Sequence, residues 1–147
     1  MKKKIILSLF IFFLLIFKLA AKDNFLSLKK SKVNVRYGPG FDYPVKYIYK
    51  KINLPLKVID KKENFRKIID IKKNSGWVHV SQLKNSRSLI ILENKILFKK
   101  PSLFSKPIVK MEKGRLVLVK KCKKKWCKVK TEDYLGWIII NNIWGTY

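Results

Sequence analysis

Gly76-Trp77-Val78 returns sixty residues later as Gly136-Trp137-Ile138. Each triplet closes a run of alternating apolar and polar positions, and self-similarity at a fixed period outranks local propensity. Working backwards, Phe65-x-x-Ile68 lines up with Trp126-x-x-Val129, Leu56-x-Val58 with Val117-x-Val119, and Pro44-Val45 with Pro107-Ile108. The chain therefore holds two copies of one unit, each of under about 65 residues.

Within each copy the apolar segments are short, rich in β-branched and aromatic residues, and divided by Gly, Pro, Asn, Asp or Lys-rich breaks. None has the period of an amphipathic helix. The patterning predicts strands over 32–36, 45–49, 54–60, 65–71 and 76–80 in the first copy. In the second it predicts 95–98, 108–111, 115–121, 126–130 and 134–140. Five short antiparallel strands cover their own edges only by curling into a small barrel, because a flat sheet of that size leaves templates for pairing exposed. The expected fold class is all-β, with two tandem barrels over residues 27–84 and 88–145. The polar stretch Lys84-Asn85-Ser86-Arg87-Ser88 reads as a short linker between them.

The N-terminus has its own logic. Residues 1–4 carry three lysines, 5–17 carry no charge, and Leu19-Ala20-Ala21 ends the run in small residues. This reads as a signal peptide over residues 1–21, a signal helix too short to span hydrocarbon about 30 Å thick. Leu19 is a poor residue for the third position before the cut, which leaves an uncleaved anchor as the alternative. Export places the folded part in the periplasm or beyond, where thiols oxidise.

Lys and Arg number 35 against 9 Asp and Glu, a formal charge of +26. Two readings stand: a field that attracts an anionic partner, or lysines inflated together with Ile, Asn and Phe by an A- and T-rich genome. Hydrophobic residues make up 48% of the chain, so it has the means to bury a core and is not a disordered polybasic tail.

Chemistry has few residues to work with. His79 is the sole histidine, it lies in the first copy, and both cysteines lie in the second. A nucleophile needs a base and an orienting group within reach, and tetrahedral zinc needs about four Cys or His ligands. The sequence thus leads us to expect no catalytic residues, no metal and no cofactor. Asp42, Asp60, Glu63, Asp70, Glu93, Glu112, Glu132 and Asp133 read as solvated turn and surface groups. Cys122 and Cys127 flank Lys123-Lys124-Lys125-Trp126 in a tight hairpin, close enough for a disulfide. The same basic run has the composition that grips phosphates and stacks on a base, but export argues against nucleic acid.

The stretch Val33-Asn34-Val35-Arg36-Tyr37-Gly38-Pro39-Gly40-Phe41-Asp42-Tyr43-Pro44-Val45 resembles the signature of bacterial Src-homology-3-like (SH3) domains. There a strand ending in Asn-x-Arg runs into a Gly-Pro-Gly loop and a Gly-Trp-Val strand closes the barrel. Here Gly76-Trp77-Val78-His79 closes it, followed by Val80-Ser81-Gln82-Leu83, where the family has a single helical turn. The second copy is similar to the partner repeat of a tandem periplasmic subfamily, through Cys122, Trp126-Cys127-Lys128-Val129, Gly136-Trp137 and Ile143-Trp144-Gly145. It departs at residues 98–107, which lack both the Gly-Pro-Gly and the arginine.

The resemblance implies a binding module for cell-wall polymer, peptide or another envelope protein, with membrane contact only through the signal segment if uncleaved. Function still has to come from a site. Gly38 and Gly40 are expected to free the backbone for a turn. Arg36, Tyr37, Phe41 and Tyr43 form the candidate ligand face, since aromatics beside an arginine suit a peptide or glycan groove, although the loop aromatics suit packing equally well. Tyr47 and Tyr49, sharing one face of a strand, are assigned to the barrel interior. Trp77 and Trp137, repeated in equivalent strands, are assigned to the core.

Overall fold

The computed structural model describes residues 24–146, so the expected signal segment lies outside the described residues. The first half forms β1 (Phe25–Leu28), β2 (Val33–Arg36), β3 (Val45–Tyr49), β4 (Pro55–Lys62), β5 (Phe65–Ile69), β6 (Ser75–His79) and β7 (Leu83–Asn85). A single 3₁₀ turn, Val80–Gln82, joins β6 to β7 where the resemblance implies a helical turn. The second half repeats the pattern as β8 (Ser88–Ile91), β9 (Lys95–Phe98), β10 (Pro107–Met111), β11 (Leu116–Lys123), β12 (Trp126–Thr131), β13 (Tyr134–Ile139) and β14 (Ile143–Gly145).

Each half is a seven-stranded antiparallel sheet, ordered β3-β2-β6-β5-β4-β1-β7 and β10-β9-β13-β12-β11-β8-β14. The orders are identical once seven is added to each strand number. In the first sheet Val33, Val35, Leu56, Ile68, Val78 and Leu83 meet in one buried cluster, with Tyr47 and Tyr49 packed against it. Residues from β3 and β7, the two outermost strands, share that cluster, so the sheet is curled around its own core. The second sheet closes likewise around Leu89, Leu97, Val117, Val129 and Ile138.

Seven strands replace the expected five. β1 and β8 read Phe-Leu-Ser-Leu and Ser-Leu-Ile-Ile, and apart from the half-buried Leu26 every residue in them is buried. Strands covered on both faces lose the alternation that announces a half-exposed strand. The expected linker is also structured, since β7 and β8 run into it and leave Ser86 and Arg87 between them. Ser88 is 1% exposed and its hydroxyl donates to the Asn53 carbonyl at 2.7 Å, so these polar residues bind the two halves together.

The tryptophans of the repeated triplet are not core residues. On β6 and β13 it is Gly76 with Val78, and Gly136 with Ile138, that are buried, while Trp77 and Trp137 are half-exposed on the opposite face. Pleating alternates the faces, and the glycines take the inner one because a Cβ on Gly76 would stand 2.4 Å from Val35 Cγ1, and one on Gly136 2.7 Å from the Phe98 carbonyl. The register also places Val45 opposite Arg36 and Pro107 opposite Phe98. Pro107 is therefore the counterpart of Val45, one residue from the sequence alignment, and an equivalent bulge interrupts both pairings.

Candidate binding face

Arg36 ends β2 and its guanidinium turns onto the following loop, where Nη1 donates to the Phe41 carbonyl at 3.1 Å and the Tyr43 carbonyl at 2.7 Å. Two charge-assisted bonds make it the clamp of the loop. The same guanidinium lies 5.5 Å from the Phe41 ring centroid. Of the four residues in the candidate ligand set, Arg36 thus holds the platform.

Gly38 serves the loop for a reason the sequence did not show. Neither Gly38 nor Gly40 has a positive φ. A Cβ on Gly38 would fall 2.3 Å from the Tyr43 ring, so the glycine makes room for that ring to lie on the backbone. Tyr43 is in consequence half spent on packing, at 46% exposed, whereas Tyr37 and Phe41 are each 62% exposed.

Two residues outside the expected set complete the face. Lys46 on β3 holds its ammonium 5.6 Å from the Tyr37 ring and donates to the Ser75 carbonyl at 3.0 Å. His79, at the end of β6, stacks at 5.1 Å from both Phe41 and Phe65, and those two rings meet edge-on at 5.3 Å. The His79 Nδ1 is 2.8 Å from the Ser81 hydroxyl. The candidate face therefore comprises Tyr37, with an ammonium beside it, and Phe41, with an imidazole beside it, on one loop. One loop and two strands, β3 and β6, build it, which is why spacing along the chain did not reveal Lys46 or His79.

On the core side of β3 the tyrosines form a polar seam. Tyr47 and Tyr49 are half-buried on the core side, their hydroxyls 3.4 Å apart, and Tyr49 donates to Asp70 Oδ2 at 3.0 Å. Burial pushes both phenols up, Tyr49 furthest, with the Tyr47 and Asp70 contacts adding to the shift there. Asp70 is 5% exposed and also accepts from the Lys72 and Asn74 backbone N–H groups and the Asn74 side chain. It is a buried turn anchor, not the solvated carboxylate its sequence context suggested. Glu93 likewise pairs with Lys95, which is 8% exposed and also donates to Asn141. Glu93 also accepts from the Asn142 side-chain amide at 2.8 Å, and its bonds to Lys95 and Asn142 hold the carboxyl below its usual range.

In the second half the counterpart of Arg36 is Phe98, which packs edge-on against Trp126 at 5.8 Å. The disulfide joins Cys122 to Cys127 across the β11–β12 hairpin. The register gives the matching pair in the first half as Lys61 and Arg66. Among the described residues no three of His, Cys, Asp and Glu converge as a metal site would require.

The halves meet through Trp144 on β14. Its ring stands edge-on to Phe25 at 5.2 Å, and its Nε1 donates to the Pro55 carbonyl at 3.0 Å. The Lys73 ammonium lies 5.8 Å from the same ring.

Similar solved structures include NlpC2 from Trichomonas vaginalis, at 11% identity and a TM-score of 0.39, covering 85% of this chain and 49% of that one. NlpC1 from the same organism is similar at 10% identity and a TM-score of 0.38, covering 86% and 47%. The chain spans about half the length of either. No curated protein matches it. The family model described as the bacterial SH3 domain matches residues 29–85 and again residues 93–145. Such domains are binding modules. With that model matched over most of its length, once in each sheet, the chain belongs to the bacterial SH3 domain family as a tandem pair.

Proposed function

We propose that this chain is an exported, non-catalytic module that binds an anionic component of the cell envelope, either a wall polymer bearing carboxylates or an acidic surface on another envelope protein. The observation that carries the reading is that Tyr37 and Phe41 are each 62% exposed on one loop clamped by Arg36, with Lys46 beside Tyr37. Flat aromatic surface on a braced loop binds sugar or peptide without a large ordering cost, and an ammonium alongside selects for negative charge. The formal charge of +26 supports this, because a field of that sign steers anionic targets and is screened by salt.

The test is retention on purified peptidoglycan sacculi across a salt series. The protein should be retained at low salt, released as salt rises, and weakened by Tyr37→Ala with Phe41→Ala, both exposed enough to change without unfolding the module. No retention at any salt retires the wall-polymer form. Retention on a peptide or protein partner alone, lost in the same double variant, would favour the adaptor form. Muramidase or amidase activity in the pure protein would overturn the non-catalytic reading.

A further inference from the structure

The loop that lost the Gly-Pro-Gly has acquired something else. Residues 99–106 connect β9 to β10, and the Lys99 N–H donates to the Lys106 carbonyl at 3.0 Å to close the neck. Inside it the Ser105 hydroxyl accepts from the Lys100 N–H at 2.8 Å, and the Ser102 hydroxyl from the Phe104 N–H at 3.2 Å. This braced loop holds Leu103 at 61% and Phe104 at 101% exposure. A phenylalanine wholly in water, on a loop whose hydrogen bonds keep it there, is the observation to be explained.

Its surroundings are cationic. Lys99, Lys100 and Lys106 belong to the loop, and Pro101 lines a cleft of about 420 Å³ with Lys123, Lys124, Lys125 and Trp126 of the disulfide-pinned hairpin. Between residues 95 and 131 the only acid is Glu112. On the other side Leu103 borders a cleft with Ile96 and Ile139, where Glu93 is neutralised by Lys95.

We propose that residues 99–106 form a membrane-contact tip, with Leu103 and Phe104 entering the acyl boundary of an anionic bilayer whose headgroups are held by the surrounding lysines. A projecting two-residue apolar tip amid cations of one sign matches a surface that is negative around the tip and apolar just beneath, as an anionic leaflet is. A protein partner would need a matching pocket inside an acidic ring. The first module differs, since Phe41 there lies against Phe65 and His79 instead of projecting. This goes beyond the reading above: it concerns the other module, a lipid surface, and a contact the sequence had placed only in the signal segment.

Both buried clusters and every strand among the described residues fall within 25–145, so the chain beginning at Lys22 carries both folded modules. That form is sedimented with phosphatidylglycerol vesicles and with phosphatidylcholine vesicles, near-UV circular dichroism confirming the fold of each variant. Wild type should bind the former and not the latter. Leu103→Ser with Phe104→Ser should weaken binding at least about tenfold, and Phe104→Trp should retain it. Replacing Lys123, Lys124 and Lys125 by Gln should weaken it roughly a hundredfold, at about fivefold for each charge. Failure of wild type to bind phosphatidylglycerol, equal binding to both lipids, or wild-type binding by the double serine variant overturns the proposal. Sacculus retention reads the first module separately: the double serine variant should keep it, and its loss in the Tyr37 and Phe41 variant should leave vesicle binding intact.

Discussion

Trp144 is the side chain by which one module grips the other, and replacing it measures that grip. Its ring partners, Phe25 at 5.2 Å, the Pro55 carbonyl at 3.0 Å and the Lys73 ammonium at 5.8 Å, all belong to the first module. A hydrogen bond contributes about 1 kcal/mol, an edge-on aromatic pair about 1 kcal/mol, and an exposed cation–π contact about 0.5–1 kcal/mol. Trp144→Ala should therefore weaken the union of the modules by about 3 kcal/mol, roughly a hundredfold. β14 itself should persist, because its pairing with β8 is made by backbone. Native-state hydrogen exchange is the assay, since it gives an opening free energy strand by strand. Amides of β1 and β4 should open more easily by about that amount, and Trp144→Phe, which keeps a ring but loses the N–H, should cost about 1 kcal/mol. A cycle with Phe25→Ala should return a coupling of about 1 kcal/mol. Unchanged protection in Trp144→Ala, or zero coupling to Phe25, would refute the idea that this contact locks the pair.

Gly76→Ala should destabilise the first module by about 1–3 kcal/mol in urea unfolding, because the new methyl meets Val35 at 2.4 Å and the Arg36 carbonyl at 3.0 Å in a packed interior. Stability should fall as pH rises past 10.0: the unfolded Tyr49 ionises there while the folded phenol, raised by burial, holds its proton, so its contribution is present below that pH and lost above it. Tyr49→Phe should flatten this alkaline loss relative to wild type in a pH series of thermal melts. Replacing Cys122 and Cys127 by Ser should cost about 2 kcal/mol, the modest amount expected of a very short loop, and urea unfolding should show the second module still folded.

Repetition explains why so much of the fold was legible. Gly76-Trp77-Val78 and Gly136-Trp137-Ile138 gave the period, and strands that alternate, such as β3, β9 and β12, followed from it to within a residue or so. Strands buried on both faces did not, since β1 and β8 carry no alternation. The candidate face was only partly legible: Tyr37 and Phe41, whose composition suited a groove and packing equally well, stand exposed. Lys46 and His79 come from other strands, and Arg36, which reads as a ligand group, is held by two carbonyls of its own loop.

Sequence alone determined the repeat, the strand-rich character, the disulfide pairing and the loop aromatics, because each rests on residues near one another in the chain or on a period within it. Tertiary structure decided the rest. That Gly76 faces inward and Trp77 outward depends on how closely β2 approaches β6, that Trp144 closes on Phe25 depends on how two curled sheets abut, and that Phe104 stands in water depends on which side of its barrel nothing covers. Burial is a property of the whole surface of the molecule, and a residue's neighbours in sequence make up only a small part of what covers it.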